Sequence, residues 1–126
     1  MRDLRVLLVD DELEFARTLA ERLRLRGIVA QAVSGAEEAL ARVHGGWRPD
    51  VVVLDLKMPG VDGLAALSLL KQEDPAVEAI LLTGHGSTAA AIEGMKRGLF
   101  DYLMKPVDVG ELAQKIRKAA AKRSPA

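Results

Sequence analysis

Residues 51–63, VVVLDLKMPGVDG, decide the predicted fold of this chain. Four apolar residues, Val51 to Leu54, run directly into Asp55. A short, continuous apolar run of this kind is typical of a strand that is buried on both faces of a parallel sheet. Pro59 and Gly60 follow and end the regular structure. The stretch therefore predicts a buried strand with a carboxylate at its C-terminal end.

Five apolar runs alternate with five segments of helical spacing. The runs predict strands at residues 4–9, 28–33, 51–54, 77–82 and 99–104. Between them, apolar side chains recur at helical spacing, as in Phe15, Leu19 and Leu23, which predicts helices that bury one face. Alternating strands and helices form a parallel sheet with right-handed crossovers. We therefore predict a single doubly wound α/β domain, a (βα)5 fold with helices on both faces of a five-stranded sheet.

Helix starts are predicted from capping patterns. Residues 34–37, Ser-Gly-Ala-Glu, have the form of a capping box for the second helix, and residues 108–111, Asp-Val-Gly-Glu, resemble one for the fifth. The third helix is predicted to follow Asp62, and the fourth to run from Ser87 to Gly98.

The composition is that of one globular domain. The 126 residues are 49% hydrophobic and 29% charged, and the formal net charge is zero. Zero net charge gives no bulk attraction to nucleic acid, and the lack of cysteine excludes disulfides and Cys-ligated zinc. The apolar run at residues 4–9 is too short for a signal peptide or a membrane span, so we expect a cytoplasmic protein.

Polar residues follow four of the predicted strands. Asp10 and Asp11 follow the first strand, Asp55 the third, Thr83 the fourth and Lys105 the fifth. In open α/β sheets, ligands bind beyond the carboxyl ends of the strands, so these side chains are expected to converge on one rim.

Each of these residues also has an ordinary interpretation. Asp10 or Asp11 would serve as a helix cap, and Asp55 is common in turns. Thr83 would be a plain strand residue and Lys105 a solvated surface charge. Their joint position at one rim favours a site, because two adjacent carboxylates repel each other and a hard cation such as Mg2+ relieves that repulsion. The chemistry such a rim supports is phosphoryl transfer to an aspartate nucleophile.

The chain resembles the receiver domains of two-component response regulators. The motifs that carry the resemblance are residues 9–12, 55–60 with 62–63, 82–84 and 98–106, and the likeness covers residues 3–122. It implies a flavodoxin-like fold and a phosphorylation-dependent signalling role. It also implies that the domain is no enzyme beyond its own phosphotransfer and autodephosphorylation. The donor is expected to be a histidine kinase, a phosphotransfer protein or a small phosphodonor such as acetyl phosphate.

The resemblance also implies a role for each residue of the rim. Asp55 would be the phosphoacceptor, and Thr83 and Lys105 would contact the phosphoryl oxygens. The Mg2+ ligands would be Asp10, Asp11, Asp55 and the backbone carbonyl of Lys57. The Lys105–Pro106 peptide bond is expected to be cis.

A conformational switch is implied as well. Tyr102 would be the aromatic switch residue that moves inward as Thr83 approaches the phosphoryl group. The surface of the fourth helix, fifth strand and fifth helix would then change and control a downstream output, or a homodimer. Lys57 and His85 are expected to tune the phosphoryl lifetime, unless they are merely exposed polar residues. The fourth helix, with Gly94 inside it, is predicted to be the mobile element.

Alternatives remain at this stage. A haloacid dehalogenase-like phosphatase also uses a strand-end aspartate, but it carries a second acid where this chain has Lys57. An interaction-only receiver is a second alternative, and a nucleotide-binding domain a poor third, because the first strand-to-helix turn is acidic rather than glycine-rich.

The output is not readable from these residues. Residues 82–86 and 100–106 look like receivers of the nitrogen-regulator type, which precede an ATPase and a DNA-binding domain. The chain would then be a receiver at residues 1–122 with a cut linker or tail at 123–126, unless it is a complete single-domain regulator. The basic residues between Lys115 and Arg123 are expected to form a solvated helix face rather than bind nucleic acid.

Overall fold

The structure, a computed structural model of the chain, describes residues 3–58, 60–84 and 88–123. The strands within these ranges are β1 (Arg5–Val9), β2 (Val29–Val33), β3 (Val51–Leu54), β4 (Glu78–Thr83) and β5 (Asp101–Met104). The helices are α1 (Leu13–Arg24), α2 (Ala36–His44), α3 (Gly63–Glu73), α4 (Thr88–Lys96) and α5 (Val109–Lys122). The strict alternation of strand and helix confirms the predicted (βα)5 fold.

The five strands form one parallel sheet in the order β2-β1-β3-β4-β5. The order changes direction at β1, which pairs with β2 on one side and with β3 on the other. In a sheet of this order the crevice between β1 and β3 is the topological switch point, where ligands bind. β3 is central and all four of its residues are buried, as its uninterrupted apolar run predicts.

Two hydrophobic layers cover the sheet. One face packs against α1 and α5, through residues such as Leu23 and Ile116. The other face packs against α2 and α3, through residues such as Val43 and Leu67. Alternate residues of β1 enter the two layers, Leu8 the first and Leu7 the second.

Some predicted boundaries differ from the observed ones. The predicted strands at 4–9, 28–33, 77–82 and 99–104 begin one or two residues too early, because their first residues are apolar and pack on the core outside the sheet ladder. The strand predicted at 77–82 also ends one residue too early, since β4 includes Thr83. The capping box at residues 34–37 is wrong. The N-cap of α2 is Gly35, without a side-chain cap, and the Ser34 hydroxyl donates to the Glu38 carboxylate instead. Asp62 and Asp108 do cap their helices, since they accept from the backbone N–H groups of Ala65 and Glu111.

The C-terminal end of α5 is anchored at the edge of the sheet opposite the predicted rim. Arg123 donates to the backbone oxygen of Pro49 at 2.6 Å and lies 3.1 Å from Asp74 and 3.4 Å from Asp50. The expectation of a solvated basic face is therefore wrong for Arg123 and for Lys115, which is half-buried and bonds to Asp101, while Lys118 and Lys122 are exposed. The domain boundary at residue 122 stays a prediction. Among the described residues, no helix has the length and apolar character needed to cross a membrane.

Candidate functional site

The acidic residues meet at the switch point of the sheet. Asp10 directly follows β1 and Asp55 directly follows β3, and these two strands are neighbours. The backbone N–H of Asp55 donates to the carbonyl of Val9 at 2.9 Å, which extends the pairing of the two strands by one residue. The carboxylate of Asp55 is thus mounted on rigid, central backbone.

Asp10, Asp11 and Asp55 form an acidic cluster, the one group of three metal-ligating side chains found in the described ranges. One carboxylate oxygen from each lies within 4.8 Å of the others. Asp10 and Asp55 are only 4% and 6% exposed, whereas Asp11 faces solvent. Carboxylate oxygens are the ligands that Mg2+ prefers, and a cation would offset the repulsion of three close acids. The residues present therefore fit a Mg2+ ion.

Helix capping does not account for the Asp10-Asp11 pair. The N-cap of α1 is Glu12, and its side chain makes no capping hydrogen bond to the described helix backbone. Asp10 instead accepts the backbone N–H of Glu12 at 2.9 Å, a bond that holds the strand-to-helix turn. Asp11 is the exposed member of the cluster.

Lys105 places a cation beside the acids. Its ammonium nitrogen lies 2.9 Å from Asp10 Oδ2, 3.2 Å from Glu12 Oε1 and 3.8 Å from Asp55 Oδ1. It also lies 4.6 Å from the centroid of the Phe15 ring, in cation–π contact. Burial by itself lowers the pKa of Lys105, but the hydrogen bond and charge of Asp10 and the charge of Asp55 outweigh burial and raise that pKa. The neighbouring acids therefore favour the charged form of Lys105.

Asp55 has a perturbed acidity. Burial first, and then the charge of Asp10, raise the pKa of Asp55 from 3.8 to about 6, against the opposing charge of Lys105. At neutral pH the carboxylate is mostly ionised, but it is held in an environment that disfavours its charge. Binding of a cation that neutralises the Asp55 carboxylate is therefore favoured at this position.

Gly63 is a site residue whose role sequence reasoning missed. A Cβ atom at this position would lie 2.2 Å from the backbone oxygen of Asp55 and 3.0 Å from the Leu56 Cα. The backbone N–H of Gly63 donates to the Leu56 carbonyl at 2.8 Å, which folds the start of α3 back onto the end of β3. The Asp62-Gly63 pair after a loop was the available signal, since glycine permits close backbone approach.

The structure describes most of the remaining predicted residues. Thr83, the last residue of β4, is buried, and its carbonyl accepts the backbone N–H of Lys105 at 2.8 Å. The Lys105–Pro106 peptide bond is cis. Tyr102 lies on β5 with 43% of its surface exposed. Lys57 is exposed in the loop after β3, and His85 lies outside the described residues.

Residues 6–117 match the response regulator receiver domain family, and the chain belongs to that family. It is a phosphorylation-dependent regulatory domain of the kind that controls a downstream output. This assignment decides against the haloacid dehalogenase and nucleotide-binding alternatives.

Individual relatives carry the same domain within longer proteins. The C4-dicarboxylate transport transcriptional regulatory protein DctD of Rhizobium meliloti is 34% identical over 118 residues, which cover 94% of this chain and 25% of DctD. The DNA-binding transcriptional regulator NtrC of Salmonella typhimurium is 35% identical over 114 residues, 90% of this chain and 24% of NtrC. The chain thus spans about a quarter of the length of these curated relatives.

The fold matches solved receiver domains. The crystal structure of a response regulator receiver domain protein from Clostridium thermocellum superposes with a TM-score of 0.88 at 33% identity, covering 94% of this chain and 95% of that one.

Proposed function

We propose that Asp55 is the phosphoacceptor of this receiver domain, with Mg2+ as its cofactor. The observation that carries the proposal is the surroundings of Asp55. It is a buried carboxylate directly after the central strand, clustered with two further acids and 3.8 Å from the Lys105 ammonium. Burial and neighbouring acids raise its pKa to about 6, but at neutral pH the carboxylate is still mostly ionised, so it presents a nucleophilic oxygen beside the Lys105 charge.

The transfer would follow from this geometry. An ionised oxygen of Asp55 attacks phosphorus, the bond from phosphorus to the donor nitrogen or oxygen breaks, and its electron pair leaves with the donor. Lys105 supplies a positive charge to the phosphoryl oxygens, and Thr83 supplies a hydroxyl at the end of the next strand. Asp10, Asp11, Asp55 and the Lys57 carbonyl would hold Mg2+, which neutralises charge on the transferring group. Lys57 and His85 remain our candidates for setting the lifetime of the product.

The donor and output are proposed from the family. Response regulators take the phosphoryl group from a histidine kinase or phosphotransfer protein in the cytoplasm. Since DctD and NtrC are named as transcriptional regulators, control of transcription through a further segment is the favoured output. We assign no direct nucleic-acid binding to this domain, because net charge is zero and the cation Arg123 is engaged internally.

The switching surface is proposed to comprise α4, β5 and α5. Ile92, Met95, Tyr102 and Met104 are large apolar side chains exposed on α4 and β5. Inward movement of Tyr102 would change this apolar area and favour a homodimer or another partner. Light scattering with and without a beryllofluoride mimic measures the change in mass. A monomer under both conditions contradicts the homodimer.

Intact-mass spectrometry with acetyl phosphate and Mg2+ tests the acceptor directly. We expect one phosphoryl adduct on the native chain, none on Asp55→Asn and none when EDTA removes the metal. Asp62→Asn is the matched control, because Asp62 is an exposed acid in the same loop and Asn also caps a helix. An adduct on Asp55→Asn contradicts the acceptor assignment. Absence of any adduct or mimic binding favours the interaction-only alternative.

A further inference from the structure

The ammonium group of Lys105 is already bound in the resting domain. It carries three N–H donors. Its hydrogen-bond partners are Asp10 Oδ2 at 2.9 Å and Glu12 Oε1 at 3.2 Å, and Phe15 lies against it on a further side. The Asp55 oxygen, at 3.8 Å, is beyond hydrogen-bond distance. Its two hydrogen bonds thus hold Lys105 on the α1 side of the cluster, near the proposed acceptor but not bonded to it.

Glu12 differs from the other acids around Lys105. It lies outside the metal-fitting cluster of Asp10, Asp11 and Asp55. The charges of the cluster acids would be shared with a bound cation, whereas the Glu12 carboxylate keeps its full attraction for Lys105. A phosphoryl group on Asp55 would therefore compete with Glu12 for the Lys105 ammonium.

We propose that Glu12 is a positioning residue that retains Lys105 in its resting place and competes with the phosphoryl group for it. The inference rests on the proposed function of Asp55. It adds that competition from Glu12 lowers the affinity of the site for the phosphoryl anion. Loss of Glu12 removes one of the two hydrogen-bond partners of Lys105, and this shifts the domain toward its phosphorylated or mimic-bound form.

The effect is expected to be modest, and the variant is expected to fold. The Glu12 side chain is 68% exposed, and exposed ion pairs are worth roughly 0.2–1 kcal/mol, or a roughly 1.4- to 5-fold change in an equilibrium constant. Glu12 makes no side-chain capping bond to α1, so Glu12→Ala removes no helix cap. The matched control is Glu14→Ala, which removes the same charge from an exposed position in the first turn of the same helix.

The first measurement concerns the resting protein, without metal or phosphodonor. The ammonium signal of Lys105 is observed by 15N NMR and assigned by its loss in Lys105→Met. We expect Glu12→Ala to shift the signal and speed its hydrogen exchange, and Glu14→Ala to leave it in place. An unchanged signal in Glu12→Ala overturns the proposal, whatever the result of the phosphorylation assay.

The second measurement is a double-mutant cycle. Beryllofluoride is titrated with saturating Mg2+ into the native chain, Glu12→Ala, Lys105→Met and the double variant, and binding is followed by 19F NMR. We expect Glu12→Ala to tighten binding roughly two- to fivefold, and to have no effect in the Lys105→Met background.

An equal gain in both backgrounds means that the charge of Glu12 acts on the anion directly, and it overturns the proposal. The proposal is also overturned if Glu12→Ala binds beryllofluoride no more tightly than the native chain. Failure of the native chain to bind the mimic contradicts the proposed function, and the NMR measurement then decides about Glu12.

Discussion

Replacing Asp55 with asparagine is expected to stabilise the fold. The pKa of Asp55 is raised from 3.8 to about 6, first by burial and then by the charges of Asp10 and Asp11, against the opposing charge of Lys105. The folded protein therefore binds a proton at this carboxyl more tightly than the unfolded chain does. At neutral pH the ionised carboxylate costs stability, and Asp55→Asn removes that cost.

The pH window follows from the two pKa values. Between pH 3.8 and about 6 the folded state holds more protons on Asp55 than the unfolded state, so the unfolding free energy falls as pH rises through this window. Above about pH 6 the cost is complete and constant. A shift of about two pH units corresponds to at most about 3 kcal/mol. We expect Asp55→Asn to gain about 1–3 kcal/mol at pH 7.5 and well under 1 kcal/mol at pH 4.

Urea unfolding followed by circular dichroism, in EDTA from pH 4 to pH 8, measures this gain. Asp62→Asn controls for the loss of one negative charge at an exposed carboxylate of the same loop. Mg2+ should then stabilise the native chain more than Asp55→Asn, because a ligand that binds only the folded state adds to its stability. A gain at pH 7.5 no larger than that of Asp62→Asn, or a gain that persists unchanged at pH 4, would refute the assignment of a strained carboxylate.

Three further substitutions test how the scaffold supports this site. Gly63→Ala places a Cβ 2.2 Å from the Asp55 backbone oxygen, so we expect a loss of about 2 kcal/mol or more in urea unfolding and displaced Asp55 amide signals; unchanged signals contradict the close approach. Arg123→Met removes the cation from between two buried carboxylates, Asp50 and Asp74, and is expected to cost about 2–4 kcal/mol, against about zero for Lys118→Met on the exposed face of α5; equal losses would contradict the buried cluster. Gly94→Ala adds a Cβ 2.9 Å from a flexible leucine methyl, which offsets the helix gain of about 1 kcal/mol. We therefore expect Gly94→Ala to leave the free energy of unfolding nearly unchanged. In the native chain we expect faster amide hydrogen exchange in α4 than in α5, and strong protection of α4 would contradict its predicted mobility.

The element pattern and the rim were readable from local sequence. Continuous apolar runs specify strands buried on two faces, and helical spacing specifies helices that cover them. Parallel strands all end at the same edge, so Asp10, Asp55 and Lys105 were expected to meet without knowledge of any distance. Local sequence did not predict the strand starts or the cap of α2 correctly. The N-cap of α2 is Gly35 rather than Ser34.

By itself, the sequence determined the fold class, the order of elements and which side chains share the rim, because these depend on periodicity and on strand direction. Only the tertiary structure decided which of those side chains bond to each other and how strongly their surroundings affect them. The bond between Lys105 and Glu12 joins residues 93 positions apart. The raised pKa of Asp55, the close approach of Gly63 and the pairing of Arg123 depend likewise on packing between distant segments. Burial and distances of a few ångströms set these effects, and such quantities exist only once the sheet and its helices have assembled.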